Sequence, residues 1–234
     1  MGDDRRRDEL AANLDAVRRR IADACDDAGR PDDVHLVVVT KFFPASDVRL
    51  LADLGVTDVG ENRHQEAEAK AAECADLGLR WHFIGGLQSN KASAVASYAD
   101  VVESVDRAKL VGPLSRGAHG RGHEVDVLVQ VSLDRPGADG RAGADPADLD
   151  DLARRVRDAG MLRLRGLMAV APLGEDADEA FARLASVHAD LLSQHPEATV
   201  LSAGMSGDLE AAIRHGATHV RVGSAVLGPR PQVK

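Results

Sequence analysis

Leu10, Leu14, Val17, Ile21 and Cys25 recur at steps of three and four, the spacing of one helix face, and predict an amphipathic helix over residues 8–28 that Gly29-Arg30-Pro31 stops. The period then changes. VHLVVVTK (34–41) is a short, nearly continuous β-branched run, the pattern of a parallel strand buried on both faces. Residues 44–54 return to helical spacing, and the alternation repeats down the chain. Strands are predicted at 35–40, 57–60, 81–85, 101–105, 125–132, 164–170, 198–203 and 218–222. Helical patterns fall at 61–77, 88–98, 106–118, 146–159, 175–194 and 206–215, with a short piece after 224. Eight alternating units in 234 residues is the arithmetic of one α/β domain over 1–234, a (β/α)8 TIM-type barrel with an extra N-terminal helix. A doubly wound open sheet is the architecture the same alternation leaves as an alternative.

One stretch breaks the rhythm. Residues 133–150 (LDRPGADGRAGADPADLD) are rich in Gly, Pro and Asp without apolar periodicity, and read as a mobile loop. Such a loop is either a tolerated insertion or a lid at the barrel mouth.

Composition narrows the function classes. Lys plus Arg is 29 against 38 Asp plus Glu, a net charge of −9, and aromatic residues are six: four Phe, Trp81 and Tyr98. The basic clusters at 5–7 and 18–20 sit beside acids on what read as solvated helix faces, so the basic stripe or stacking rings of a nucleic-acid binder are not expected. No window approaches the roughly 18–20 apolar residues of a spanning helix, and the N-terminus (MGDDRRRDEL) lacks the apolar core of a signal peptide. Arg6 stands where a myristoylation pattern needs Ser or Thr. Cys25 and Cys74 lie far apart in helical patterns, which fits a reducing compartment. A cytoplasmic protein without membrane or nucleic-acid partners is the expectation.

Barrel enzymes carry their chemistry at the C-terminal ends of the strands, so the residues just after each apolar run are the candidates. Only five of the 29 basic residues are Lys, and one of them, Lys41, follows Leu36 to Val39 and precedes Phe42-Phe43-Pro44. Its stem would leave a water-poor core, where desolvation disfavours the ammonium and favours a neutral amine able to form a Schiff base with a carbonyl. The bland alternative is a lysine snorkelling from a strand end or pairing with Glu61. Two glycine- and serine-rich loops follow the seventh and eighth strands. SAGMSGD (202–208) runs into a helix expected to begin near Ser206, with the Ser202 and Ser206 hydroxyls available. RVGSAVLG (221–228) places Gly223 and Ser224 at the start of a short helix. Loops at these positions are where barrels commonly bind phosphate, although Gly and Ser also cap ordinary helices. Lysine amine and phosphate cradle together suggest a sugar-phosphate aldolase or a pyridoxal 5'-phosphate protein. Arg221, in the alternating run His219-Val220-Arg221-Val222, bears on the choice. A permanent cation facing a pyridine nitrogen would keep that nitrogen unprotonated and weaken the cofactor as an electron sink. A phosphate or carboxylate clamp is its plainer reading.

VVVTKFFP around Lys41, VGENRHQE (59–66), WHFIGGLQSNK (81–91), GLMAVAP (166–172) and LSAGMSGDLEAAIRHGATHVRVGSAVLG (201–228) form an ordered, specific set over essentially the whole chain. In these motifs the chain resembles the pyridoxal-phosphate homeostasis protein family, single-barrel relatives of the N-terminal domain of alanine racemase. The resemblance implies that Lys41 carries pyridoxal 5'-phosphate as a Schiff base, that Arg221 faces the pyridine nitrogen, that Ser206, Gly223 and Ser224 hold the phosphate, and that Asn62 lies near the ring. Many relatives have Met where Ala203 stands, Asn where Ser132 stands, and Lys-Ser-Gly where this chain has Arg141-Ala142-Gly143. The last two departures bear on the fifth loop and on any second ligand there.

Two functions follow. A carrier would bind the cofactor reversibly and buffer it or pass it to pyridoxal-phosphate-dependent apoenzymes, as a monomer or weak homo-oligomer with no dedicated turnover. An amino-acid racemase would need an acid/base on each face of the substrate carbon, and the second base of the racemases comes from a further domain for which this length leaves no room. The carrier is the expectation. Tyr98 falls in a helical stretch away from the mouth and reads as structural, His82 as a satisfied core histidine, and His119-x3-His123 as a glycine-rich connection with no metal.

Overall fold

A computed structural model describes residues 2–134 and 143–229. Eight parallel strands, β1 (His35–Val39), β2 (Asp58–Glu61), β3 (Arg80–Phe83), β4 (Val101–Val105), β5 (Val125–Gln130), β6 (Leu162–Met168), β7 (Val200–Ser202) and β8 (His219–Val222), pair in chain order. β8 returns to β1 with His35 opposite His219 and Val38 opposite Val222. The ring is closed, which selects the barrel over the open sheet.

The helices are α1 (Gly2–Asp27), α2 (Ala45–Asp53), α3 (His64–Glu73), α4 (Ala92–Ala96), α5 (Val111–Arg121), α6 (Leu149–Asp158), α7 (Ala177–Gln194), α8 (Leu209–Arg214) and α9 (Ser224–Leu227). Three differ from expectation. The pattern predicted at 88–98 shrinks to the five residues of α4, and the one at 106–118 becomes a 3-10 turn (Ala108–Leu110) followed by α5. The helix expected near Ser206 begins at Leu209, because residues 206–208 form a turn in which the Asp208 carboxylate accepts from the Met205 N–H (2.6 Å). Of the loop predicted over 133–150, residues 135–142, including Arg141 and Ala142, lie outside the described residues. Its far end is helical: the Asp145 side chain accepts from Ala147 N–H (2.9 Å) and caps a 3-10 turn (Pro146–Asp148) that leads into α6.

Helix α1 packs its predicted face, Leu10, Leu14, Val17, Ile21 and Cys25, into one apolar cluster with α2, α8, α9 and the outer sides of β1, β2 and β8. Each such large apolar side chain contributes roughly 1.5–3 kcal/mol on burial. Polar ties fix the helix in register: Arg6 binds Asp47 (2.7 and 3.3 Å) and the Leu227 carbonyl, and Asn13 Nδ2 donates to the Val226 carbonyl (3.0 Å). It thereby braces the loop after β8. A second cluster fills the space between β3–β7 and α4–α7. The barrel interior itself is unusual, because buried Glu103, His82, Ser202 and Arg221 lie in it beside the aliphatic side chains that ordinarily fill such cores.

Candidate functional site

Where β1 ends the chain turns sharply, and that turn presents Lys41. Phe42 adopts φ 72°, a left-handed conformation that costs a non-glycine residue about 1–3 kcal/mol. Its surroundings hold it there. The Phe42 N–H donates to Glu66 Oε1 (2.6 Å), and the Arg63 guanidinium lies 5.1 Å from the Phe42 ring centre. Beneath the turn, Lys70 from α3 is almost fully buried and donates to the Thr40 carbonyl (2.9 Å), to Glu61 Oε1 (2.5 Å) and to Glu66 Oε1 (3.2 Å), while Thr40 Oγ1 also donates to Glu61 (2.6 Å). Glu61, considered above as a partner for Lys41, thus takes Lys70. Burial pushes its carboxyl above the usual range, and the Lys70 charge opposes that only in part.

Lys41 lines a pocket of about 260 Å³ together with Val39, Phe42, Phe43, Ile84, Met205, Ser206, Gly207, Arg221, Gly223, Ser224 and Gly228. Five of the six residues singled out from the sequence therefore meet in one cavity at the C-terminal ends of the strands. The sixth, Asn62, stands just past β2 outside this lining, with its side-chain oxygen buried and without a hydrogen-bond partner among the described residues. Its backbone passes so close to the end of β3 that a Cβ on Gly85 would lie 2.1 Å from the Asn62 carbonyl oxygen. Only glycine fits there.

The loops after β7 and β8 form the opposite wall. Gly204 has φ 91°, and a Cβ on it would meet Ala212 at 2.6 Å, so glycine is needed for conformation and for space. Its carbonyl accepts from the Arg221 N–H (2.9 Å), which ties the two loops together. Ser206 Oγ adds a second tie by accepting from Ser224 Oγ (3.3 Å) and Ala225 N–H (3.4 Å), while Gly207 faces open space. The lining thus offers the Lys41 amine, the Arg221 guanidinium, two hydroxyls and exposed glycine backbone, and among the described residues that form it none is acidic.

Arg221 is 4% exposed. Its Nη1 donates to Ser202 Oγ (2.7 Å) and its Nη2 to the Ala169 carbonyl (2.8 Å). Ser202 in turn donates to Glu103 Oε2 (2.6 Å). The Ser202 hydroxyl, expected to be available to a phosphate, is therefore committed inside the barrel. Burial pulls the guanidinium below its ordinary pKa, and the nearby Glu103 carboxylate opposes the shift.

Behind Glu103 stands His82, whose Nδ1 lies 2.7 Å from Glu103 Oε1 and whose Nε2 lies 3.0 Å from Asp58 Oδ1. His82 is a satisfied core histidine, as expected. Glu103 was not singled out in the sequence, yet the signal was there: VVESV and HVRV each place a charged residue at the centre of an apolar strand. Lys70 left no such mark, because AEAKAAE reads as a solvated helix face. Tyr98 packs against the apolar clusters with its ring stacked on His64 (5.9 Å), and burial pushes its phenol pKa up. Cys25 and Cys74 are buried free thiols. Among the described residues there is no group of three or more His, Cys, Asp or Glu suited to a metal, and no helix long and apolar enough to cross a membrane.

Comparison with known proteins follows the same lines. Residues 12–231 match the family described as alanine racemase, N-terminal domain. The chain is 45% identical, over 245 aligned positions, to the pyridoxal phosphate homeostasis protein of Mycobacterium tuberculosis (strain ATCC 25618 / H37Rv), covering 96% of this chain and 94% of that one. It is 38% identical over 233 positions to the protein of the same name from Escherichia coli (strain K12), covering 97% and 99%. Among solved structures, PipY of Synechococcus elongatus PCC7942, crystallised with pyridoxal phosphate bound, superposes with a TM-score of 0.82 at 38% identity over 94% of this chain and 100% of that one. The chain belongs to the pyridoxal phosphate homeostasis protein family, built on the barrel of the alanine racemase N-terminal domain.

Proposed function

We propose that this chain binds pyridoxal 5'-phosphate at the barrel mouth and serves intracellular homeostasis of that cofactor as a carrier or buffer in the cytoplasm, with pyridoxal-phosphate-dependent apoenzymes as recipients. The observation that carries this is the convergence of Lys41, Arg221, Ser206, Gly223 and Ser224 on one pocket. When bound, the cofactor supplies an aldehyde that condenses reversibly with a primary amine. Lys41 is the amine lining the pocket, and its turn is braced by Glu66 and Lys70. Ser206, Ser224 and the backbone at Gly223 would hold the phosphate dianion, which the cationic lining attracts. Gly207 leaves space at that wall which a side chain would narrow. Arg221 has only donors to offer, so it fits an unprotonated ring nitrogen acting as acceptor. The Asn62 oxygen, buried without a hydrogen-bond partner among the described residues, would take a polar group near the ring. The volume, near the lower end of small-molecule sites at about 300 Å³, suits one compact ligand.

A racemase-type enzyme is the second reading, favoured by the family's barrel. It requires a second acid/base opposite Lys41. The titratable side chains among the described pocket residues are Lys41 and Arg221, and a buried guanidinium makes a poor proton shuttle. The carrier reading has a direct test. Protein mixed with the cofactor turns yellow, borohydride fixes the label on the peptide containing Lys41, and Lys41→Ala loses the adduct while remaining folded. A labelled lysine elsewhere overturns the site. Turnover of an amino acid far above that of free cofactor, and lost in Lys41→Ala, overturns the carrier in favour of the enzyme.

A further inference from the structure

A chain of hydrogen bonds runs through the barrel interior and ends on the guanidinium that lines the pocket. From the N-terminal end of the strands it passes from Asp58 Oδ1 to His82 (3.0 Å), from His82 to Glu103 Oε1 (2.7 Å), from Glu103 Oε2 to the Ser202 hydroxyl (2.6 Å), and from there to Arg221 Nη1 (2.7 Å). The Glu103 carboxylate and the guanidinium are 3.8 Å apart. Glu103 and Ser202 are fully buried, and His82 and Arg221 nearly so. Five strands contribute: β2, β3, β4, β7 and β8.

We infer that Glu103 is the positioning residue of this site, aiming Arg221 through the Ser202 hydroxyl and anchored in turn by His82 and Asp58. The inference rests on the reading of the pocket as a pyridoxal-phosphate site. Physical necessity comes from the anion. Arg221 shares its cavity with the Ser206 and Ser224 hydroxyls, and a guanidinium on a flexible stem would swing toward a phosphate dianion in that wall. Two fixed acceptors hold it back, the Ala169 carbonyl (2.8 Å) and the Ser202 oxygen, and the second is itself polarised by Glu103. The carboxylate also supplies the counter-charge without which a buried guanidinium is costly. Both Glu103 oxygens are engaged on opposite sides, so the carboxylate cannot rotate without losing one of them. Burial works against the two carboxylates, and it is outweighed by His82 together with Thr57 and Arg80 on Asp58 and with Arg221 and Ser202 on Glu103, which leaves both at about 2. Carboxylates and basic side chains alternate along the row, from Asp58 to His82, Glu103 and Arg221, so each buried group faces a complementary partner.

The test uses Glu103→Gln, Ser202→Ala and Asp58→Asn in the full-length protein, with two readouts. The first is the side-chain ¹H–¹⁵N signal of Arg221 Nε in protein free of cofactor, sharp and slow to exchange if the guanidinium is clamped. The second is the ring-nitrogen shift of ¹⁵N-labelled pyridoxal phosphate bound to the protein, with its dissociation constant. Glu103→Gln and Ser202→Ala are expected to broaden the Arg221 signal, move the ring-nitrogen shift and weaken retention about tenfold, while borohydride still fixes the label on Lys41. Glu103→Asp restores part of the shift, and Asp58→Asn moves it least but in the same direction. If Glu103→Gln fails to fold, Ser202→Ala keeps the carboxylate and decides alone. Folded variants with unchanged Arg221 and ring-nitrogen signals overturn the inference. Absence of Lys41 labelling in the unsubstituted protein overturns the cofactor reading instead, and the cofactor-free Arg221 signal still reports on the clamp.

Discussion

The two ends of the barrel carry cavities of similar size and opposite character. At the N-terminal ends of the strands a pocket of about 350 Å³ is lined by His35, Asp58, Arg80, His82, Asp126 and His219 among others. Its charges are spent on one another. Asp126, 2% exposed, is bound by Arg80 and by Arg163 (2.8 Å), Asp58 holds His82, and the His35 and His219 rings stack at 4.7 Å. At the mouth both basic residues of the lining, Lys41 and Arg221, are set among hydroxyls and glycine backbone. Volume alone would not distinguish the ends. What separates them is that one end sets carboxylates against cations within its own lining, while the lining of the other has no carboxylate among the described residues. That difference matches the division of barrels into a stabilising face and a reactive face.

The sharpest way to break the comparison is to remove what lets the mouth stay open. The Lys41 turn rests on Lys70 and Glu61, 6% and 1% exposed. Glu61→Ala leaves a buried ammonium without its main partner, and about 3–5 kcal/mol of stability should be lost in urea unfolding, with slower labelling of Lys41. Lys70→Met should cost less, because Glu61, its carboxyl already raised by burial, takes up a proton and becomes neutral. Equal losses in the two variants would mean that the pair matters through packing and not through charge.

Acid should act on the other end. His219 is held neutral with a pKa of about 4, chiefly by burial, against an ordinary 6.5. As pH falls below 6.5 the unfolded chain gains a proton that the folded one refuses, so stability drops through the window from 6.5 to 4 by up to roughly 1.4 kcal/mol per unit. Asp58 and Glu103, at about 2, add stability that is full above their ordinary values and lost only as pH falls from about 4.5 toward 2. His82, raised by Asp58 and Glu103 against the effect of its burial, contributes fully below 6.5 and loses that contribution as pH rises through its folded value. Melting temperature should therefore peak near pH 6.5, and His219→Gln should flatten the slope between 6.5 and 4. A slope unchanged in that variant would place the acid sensitivity elsewhere.

A smaller effect probes the rim between β2 and β3. Gly85→Ala places a methyl 2.1 Å from the Asn62 carbonyl oxygen, and backbone has to move. The expected cost is about 1–3 kcal/mol, read by thermal unfolding, with weaker cofactor retention because Ile84 and Asn62 shift with it.

These elements also show which parts of the molecule sequence could reveal. The eight strands were legible because β-branched runs and helical spacing alternate so regularly, and Lys41 because a lone lysine ends one of those runs. The β7 and β8 loops were legible through glycine and serine at strand ends. The Asp58–His82–Glu103 row was not, because its members are 21 or more residues apart and meet only when the sheet closes on itself. Lys70 was not, because a helix hides which of its polar residues faces inward until the neighbouring strand is placed. The Ser202 hydroxyl was legible as polar but misread in role, since its partner lies 99 residues away on β4.

The smallest predicted effect separates two kinds of charge at the same end of the barrel. Arg163 is half exposed and shares Asp126 with Arg80, so Arg163→Ala leaves the carboxylate paired and should change stability by no more than about 0–1 kcal/mol. It also stands off the row that leads to Arg221. Asp58 lines the N-terminal pocket beside Asp126 and stands on that row. Arg163→Ala should therefore leave cofactor affinity at the mouth unchanged, whereas Asp58→Asn should move the signal of the bound ring nitrogen. If both substitutions disturbed the mouth equally, the coupling would be a general loosening of the barrel. If only Asp58→Asn does so, the two ends communicate along one defined path through Glu103, and the self-neutralised end is then what keeps the guanidinium at the mouth aimed.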